Sequence, residues 1–396
     1  MRKLWPLLII MTLLLAFALM AAQADSLDDE EEISLFDFQS AAGQDAETPE
    51  DGGVSDVQAE PDPTPEPVLQ ADGSTMITIT AVGDVTIGRN VQYSGASIFE
   101  KELKKQGGDI NFVFRNVKDI FSEDDLTIAN FEGVLADEYT IPSNKKGNSF
   151  LFLGPPSYTE ALKNNSVEAV TMENNHVGDF GQDGIDSTIA AMESAGILWA
   201  NKSHIAYFEA QGIRVAMLAY QTLNQNISSS ELKDLVAKDI AIAKQTCDVV
   251  TVSFHWGEEL DYAPRENQIM LGRAAIDAGA DLVLGHHSHR INPIEYYKGR
   301  YIVYSLANCS FAGNNKPSDM FTFIFQVRFK VKDGEIVGTP FRIIPCRISS
   351  RKDYNDFAIT PLTEPANITT VINTLTNKSN IKNLEYAVTT YPLEWE

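Results

Sequence analysis

The pattern that most restricts this chain is an alternation. Short apolar, strand-like runs end in small clusters of polar residues, and helix-like stretches fall between them. The runs are Met76–Val82, Leu126–Asn130, Val167–Met172, Val215–Tyr220, Val249–His255, Leu282–Leu284 and Ile302–Leu306. Helical periodicity appears over Gly184–Ala195, Leu232–Lys244 and Gln268–Ala278. Strands alternating with helices imply α/β architecture. Later, Phe321–Val331 and Thr339–Ile348, joined through Asp333-Gly334, predict an antiparallel hairpin.

In open α/β sheets, functional groups gather beyond the carboxyl ends of strands, where loops converge. Five such places carry chemistry: Gly83-Asp84, Asn130-Phe-Glu132-Gly133, Glu173-Asn-Asn-His176 with Asp179 beyond it, His255-Trp-Gly-Glu258, and Gly285-His-His-Ser-His289. The chain has six histidines, and five of them fall in these loops; His204 stands apart and reads as structural or surface. One strand-end histidine would ordinarily be a satisfied structural residue. Five in three loops point to a shared site. Divalent transition metals take neutral imidazoles and carboxylates, and the spacing of His287 and His289 lets two rings approach from one loop. Asp84 and Glu132 would supply negative charge, with Glu132 placed to bridge two ions, and Asn175 would offer a carbonyl oxygen. His176, next to a ligand, would be free to donate a proton. With His255, these make six candidate ligands, more than one tetrahedral ion needs, so two ions are expected.

The flanks read differently. Arg2 and Lys3 precede an apolar run from Leu4 to Met20, followed by Ala22-Gln23-Ala24, the marks of an export signal. Residues 1–24 are expected to act either as a cleaved signal or as a retained membrane anchor, and both place the rest outside the cytoplasm. Residues 25–75 read as an acidic, Pro-rich, disordered linker. Residues 25–74 hold 16 acidic residues and no Lys or Arg, so the formal net charge of −24 overstates the folded part. Residues 75–396 carry 39 acids against 29 bases, a net of −10, which argues against a nucleic-acid partner held through phosphates. Cys247, Cys309 and Cys346 are too few and too scattered for a disulfide framework and read as buried thiols. The folded domain is placed at 76–350, with 351–396 as a C-terminal extension.

In order, Gly83-Asp-Val-Thr-Ile-Gly-Arg89, Asn130-Phe-Glu132, Asn174-Asn-His-Val-Gly-Asp-Phe-Gly181, His255-Trp-Gly-Glu258, Gly285-His-His-Ser-His289 and Tyr304-Ser-Leu-Ala-Asn308 resemble the CapA family of capsule and poly-γ-glutamate synthesis proteins. That family in turn looks like a divergent branch of the calcineurin-like metallophosphoesterases. The resemblance implies a four-layer α/β/β/α sandwich with a dinuclear centre (Mn, Fe or Zn) at one edge. It maps Asp84, Glu132, Asn175, His255, His287 and His289 onto metal-ligand positions, His176 onto the catalytic histidine, and Asp179 onto the residue that orients it. Position 86 is Thr86, where metallophosphoesterases carry a further histidine, which implies a more weakly held ion. Ser288, Ala307 and Cys309 stand where Pro, Gly and Phe are usual. Three readings follow: a role in making or exporting an anionic envelope polymer, a secreted metal-dependent phosphoesterase, or a metal-stabilised scaffold for membrane synthase subunits.

Overall fold

The computed structural model describes residues 66–395, except 93, 94, 96, 146, 148, 149, 224–226 and 377–383. The expected export segment, and the acidic stretch as far as residue 65, lie outside the described residues.

Two sheets form the centre. The larger has nine strands, running Thr360–Pro361, Phe341–Arg347, Phe321–Lys332, Thr75–Thr86, Leu126–Phe131, Ala169–Thr171 and Leu198–Ala200, with Asn308–Phe311 beside Thr75–Thr86 and Glu335–Gly338 beside Phe321–Lys332. The smaller has six, in the order Ile294–Tyr297, Arg300–Val303, Leu282–His286, Val249–His255, Ile213–Gln221 and Ala206–Ala210. In the larger sheet Thr75–Thr86, Leu126–Phe131 and Ala169–Thr171 run parallel while Phe321–Lys332 joins Thr75–Thr86 antiparallel, and in the smaller sheet Ile213–Gln221, Val249–His255 and Leu282–His286 run parallel. The parallel parts require cover on both faces.

Side-chain parity shows what that cover is. Along Ile213–Gln221, Val215, Met217 and Ala219 enter one apolar cluster with Ile77, Ile79, Phe325 and Val327 of the larger sheet. The alternate residues Ala216, Leu218 and Tyr220 cluster instead with Leu232, Val236 and Ile240 of the helix Ser229–Ala243 and with Ile269 and Ala275 of Glu266–Asp277. On the far face of the larger sheet, Ala129, Phe131, Val170 and Ile324 pack with Phe99, Ala161, Leu162 and Met192 of Ile98–Lys105, Thr159–Lys163 and Gly181–Ala195. The layers are therefore helix, sheet, sheet, helix, the four-layer sandwich expected. At buried apolar areas typical of such side chains, each contributes about 1.5–3 kcal/mol.

The hairpin also forms as expected. Phe321–Lys332 pairs antiparallel with Phe341–Arg347, and at its tip Lys332 faces Glu335 across Asp333 (φ 53) and Gly334 (φ 77), the paired positive φ of a tight hairpin turn.

Two elements differ from expectation. The first strand does not stop at Gly83-Asp84 but continues to Thr86, with register breaks on either side of Asp84. The predicted strand Ile302–Leu306 stops at Val303, after which Tyr304–Ala307 crosses to the other sheet and leads into Asn308–Phe311. That crossing lies hard against both sheets. A Cβ on Gly83 would sit 2.0 Å from the Ala307 carbonyl oxygen, and one on Gly285 would sit 2.0 Å from that of Tyr304. Asp84 N donates to Ala307 O (2.9 Å), Leu306 N to Gly285 O (3.1 Å) and Trp256 Nε1 to Tyr304 O (2.9 Å).

The fold also takes in residues on both sides of 76–350. Asp72 pairs with Lys330 at 2.7 Å, and Ser74 is fully buried. Phe357 and Ile359 join the outer cluster, while Leu362, Val371, Leu375 and Tyr391 join the cluster between the sheets. Cys247, Cys309 and Cys346 are buried and form no disulfide. Among the described residues no helix is long and apolar enough to cross a membrane.

Candidate metal centre

Strand ends from both sheets converge at one edge. Asp84 and Glu132 come from the larger sheet and the loop after Leu126–Phe131. His255 ends a strand of the smaller sheet, and His287 and His289 follow Leu282–His286. Glu132, His255 and His287 offer ligand atoms within 4.8 Å of one another, and so do Asp84, Glu132 and His289. Glu132 belongs to both groups. Asn175 reaches the first through its Oδ1, 2.6 Å from His255 Nε2. The structure thus brings together all six residues expected as ligands.

The surroundings orient them. Asp84, fully buried, accepts from Asn130 Nδ2 (2.9 Å) and from the His287 backbone N (3.2 Å). Asn130 is itself held by Thr171 Oγ1 (3.3 Å) and Asn174 Nδ2 (3.4 Å). His289 Nδ1 lies 2.9 Å from Asn308 Oδ1 and 3.2 Å from Asp84 Oδ2. Both His287 (φ 90) and His289 (φ 54) occupy left-handed backbone, a strain that side-chain-bearing residues hold only where the surroundings enforce it.

Burial sets the electrostatics, modified by the neighbouring charges. Burial opposes a charge on Asp84, yet His286 and His289 together hold its carboxyl well below the ordinary range. Burial, reinforced by the Asp84 charge, pushes Glu132 up to about 7. Burial drives His255 well down and brings His287 to about 4. His289 goes the other way, to about 9: burial alone would lower it, but Glu132 and Asp84 outweigh that. Neutral imidazoles at 255 and 287 are the form that binds a cation.

His176 sits beside the cluster. Its Nδ1 is 2.6 Å from Asp179 Oδ2, and Asp179 Oδ1 accepts from Lys145 Nζ (2.7 Å). Its Nε2 is 3.9 Å from Glu132 Oε1. Burial would lower the His176 pKa, but Asp179 and then Glu132 raise it above its ordinary value. A half-open cavity of about 290 Å³ adjoins it, lined in part by Glu132, His176, His289 and Asn308.

Sequence reasoning missed some participants. His286, whose place in the histidine loop says nothing of its role, is buried with Nδ1 3.3 Å from Asp84 Oδ1, close but not aligned for a hydrogen bond, and neither ring nitrogen has a hydrogen-bond partner. Asn308 was seen only as part of a motif; its contact with His289 needed the inter-sheet crossing to be known. The hydroxyl of Thr86 is buried without a partner. His204 is exposed and stacks on Trp199, ring centroids 4.0 Å apart.

Fold and site together define an α/β sandwich protein with a cluster of buried carboxylates and imidazoles at one edge. The family described as bacterial capsule synthesis protein PGA_cap matches residues 78–312, and the chain belongs to that family. It is 31% identical over 255 residues to a capsule biosynthesis protein CapA of Bacillus anthracis, covering 59% of this chain and 60% of that one. It is 28% identical over 263 residues to a PGA biosynthesis protein CapA of Bacillus subtilis, covering 62% and 66%. The chain therefore spans under two thirds of the length of these curated relatives. Among solved structures, a phosphatase from Mycoplasma pneumoniae aligns at 14% identity and a TM-score of 0.42, covering 75% of this chain and 97% of that one.

Proposed function

We propose that the centre is a two-ion site serving the assembly or export of poly-γ-glutamate or a similar anionic envelope polymer outside the cytoplasm, with residues 1–24 as signal or anchor. Glu132 carries this reading. It is 1% exposed, neither carboxylate oxygen has a hydrogen-bond partner, and it belongs to both groups of convergent ligands. A buried carboxylate without partners is costly, and cations on either side of it would offset that cost. The neutral imidazoles and second carboxylate around it suit a divalent transition ion. Asp84, Glu132 and His289 would hold one ion; Glu132, His255 and His287 would hold the other, with Asn175 alongside. Bound divalent ions supply Lewis acidity toward an anionic oxygen and bring water within reach of deprotonation near neutral pH. The capsule side of the reading is supported by family membership.

The dyad of His176 and Asp179 favours hydrolysis of a phosphoester as the chemistry. Asp179 fixes the ring through Nδ1 and leaves Nε2 facing the centre. A water oxygen bonds to phosphorus, the bond to the leaving oxygen breaks, and that oxygen takes the proton held at His176 Nε2. The proton shed by the water passes to solvent.

The test uses the purified chain and its Asp84→Asn and His176→Ala variants. Elemental analysis should find Mn, Fe or Zn in the wild type and His176→Ala, and less in Asp84→Asn. Phosphodiester turnover should fall about 10²–10⁴-fold in His176→Ala with metal content unchanged. A chain that acquires none of these ions would sink the centre. Undiminished polymer production by cells carrying only Asp84→Asn would reduce the chain to a scaffold.

A further inference from the structure

The cavity beside the centre has an aromatic wall that the hydrolytic chemistry does not use. Phe150, 48% exposed at the rim, stacks on Phe152 with ring centroids 6.1 Å apart. Phe152 meets Phe311 edge-on at 6.2 Å and the His176 ring at 5.4 Å, and Phe311 lies 5.4 Å from the His289 ring. An unbroken apolar surface thus runs from solvent to the two histidines nearest the cavity. Arg290 is the only permanent cation among the described lining residues. It is 5% exposed and already committed: it donates to His289 O (2.7 Å) and Ser318 Oγ (2.8 Å), and it lies over the Tyr262 ring. Glu132 and Glu259 put two carboxylates in the same lining.

A run of repeated carboxylates would find no free cation among the described lining residues, and the Glu259 carboxylate besides. One anionic group at the ions, joined to an apolar stem along the aromatic wall, would meet complementary surface throughout. We propose that the cavity selects a phosphate ester whose single anionic group is carried on an apolar aryl or alkyl stem, so that the centre acts on such an ester rather than on the polyanionic polymer. This rests on the metal-centre reading above. A pocket of about 290 Å³ takes the phosphate and the first part of a stem, and the exposed Phe150 lets a longer stem continue outward.

The experiment loads the full chain with Mn or Zn, measures metal content, and titrates hexyl phosphate, phenyl phosphate, glycerol phosphate and γ-linked triglutamate by calorimetry. Hexyl and phenyl phosphate should bind about tenfold or more tighter than glycerol phosphate, and triglutamate the most weakly. Phe150→Ser and Phe311→Ser should each cut the stem preference by about threefold or more at unchanged metal content, while Phe150→Leu retains it. Metal uptake with equal affinity for hexyl and glycerol phosphate, or tighter binding of triglutamate, would overturn this inference alone. Failure to take up either metal would overturn the functional reading, and the inference with it.

Discussion

Glu132 shows how one residue ties stability to function. Its ordinary pKa is 4.5, and in the metal-free fold burial, followed by repulsion from Asp84, raises it to about 7. A carboxyl whose folded pKa is raised favours the fold while protonated. The metal-free protein therefore loses stability through this group as pH rises from about 4.5 to about 7, and no more beyond that. Glu132→Gln removes the buried charge. Urea unfolding in chelator at pH 8 should find the variant more stable than wild type by about 1–3 kcal/mol, with the gap closing toward pH 4. With saturating metal the order should invert, because the amide brings no charge to the ions. A gap independent of pH would mean that Glu132 is not the titrating group.

At the scale of elements, the crossing at Tyr304–Ala307 decides how the two sheets meet. Gly83→Ala or Gly285→Ala would drive a Cβ to 2.0 Å from a carbonyl oxygen of that crossing, and backbone cannot swing aside as a side-chain tip can. Each should cost about 3 kcal/mol in denaturant midpoint analysis, while Gly107→Ala, with nothing nearby but a φ of 74, should cost about 1 kcal/mol. This crossing also marks what was legible in the sequence. The apolar runs and their polar ends were visible because parallel strands buried on both faces must be continuously apolar, and this pattern singled out Glu132, His255, His287 and His289 at strand ends, with Asp84 in the same group though its strand runs on to Thr86. The continuation of the first strand to Thr86 and the change of sheet after Val303 were not visible. Both depend on which backbone approaches Gly83 and Gly285, and a local pattern carries no such information. Asn308 went unassigned for the same reason, since the crossing brings it to His289.

At the scale of the whole molecule, the segment after residue 350 and the metal centre both hold the layers together, at different places. Val371, Leu375 and Tyr391 fill the cluster between the sheets, and Arg328 and Arg342 flank the Trp395 ring at 3.8 and 4.9 Å. A chain ended at residue 350 should lose its cooperative thermal transition by circular dichroism, because three buried side chains at about 1.5–3 kcal/mol each amount to much of a typical domain's net stability. The centre acts at the opposite level of order. Its ligands come from both sheets, so an ion bound by Glu132, His255 and His287 would tie one sheet to the other at a single edge. Metal at a hundredfold excess over its dissociation constant should raise stability by about 2.7 kcal/mol, with the melting temperature falling again on chelation. The location of that effect is the sharper test. In hydrogen exchange, chelation should release the amides of Asp84, Leu306 and His287 first, since these bonds pin the crossing and the histidine loop to the centre. The hairpin strands Phe321–Lys332 and Phe341–Arg347 should stay protected, because nothing in their ladder depends on the ions. Protection lost evenly across both sheets would instead show that the ions support the whole fold rather than join its layers at one edge.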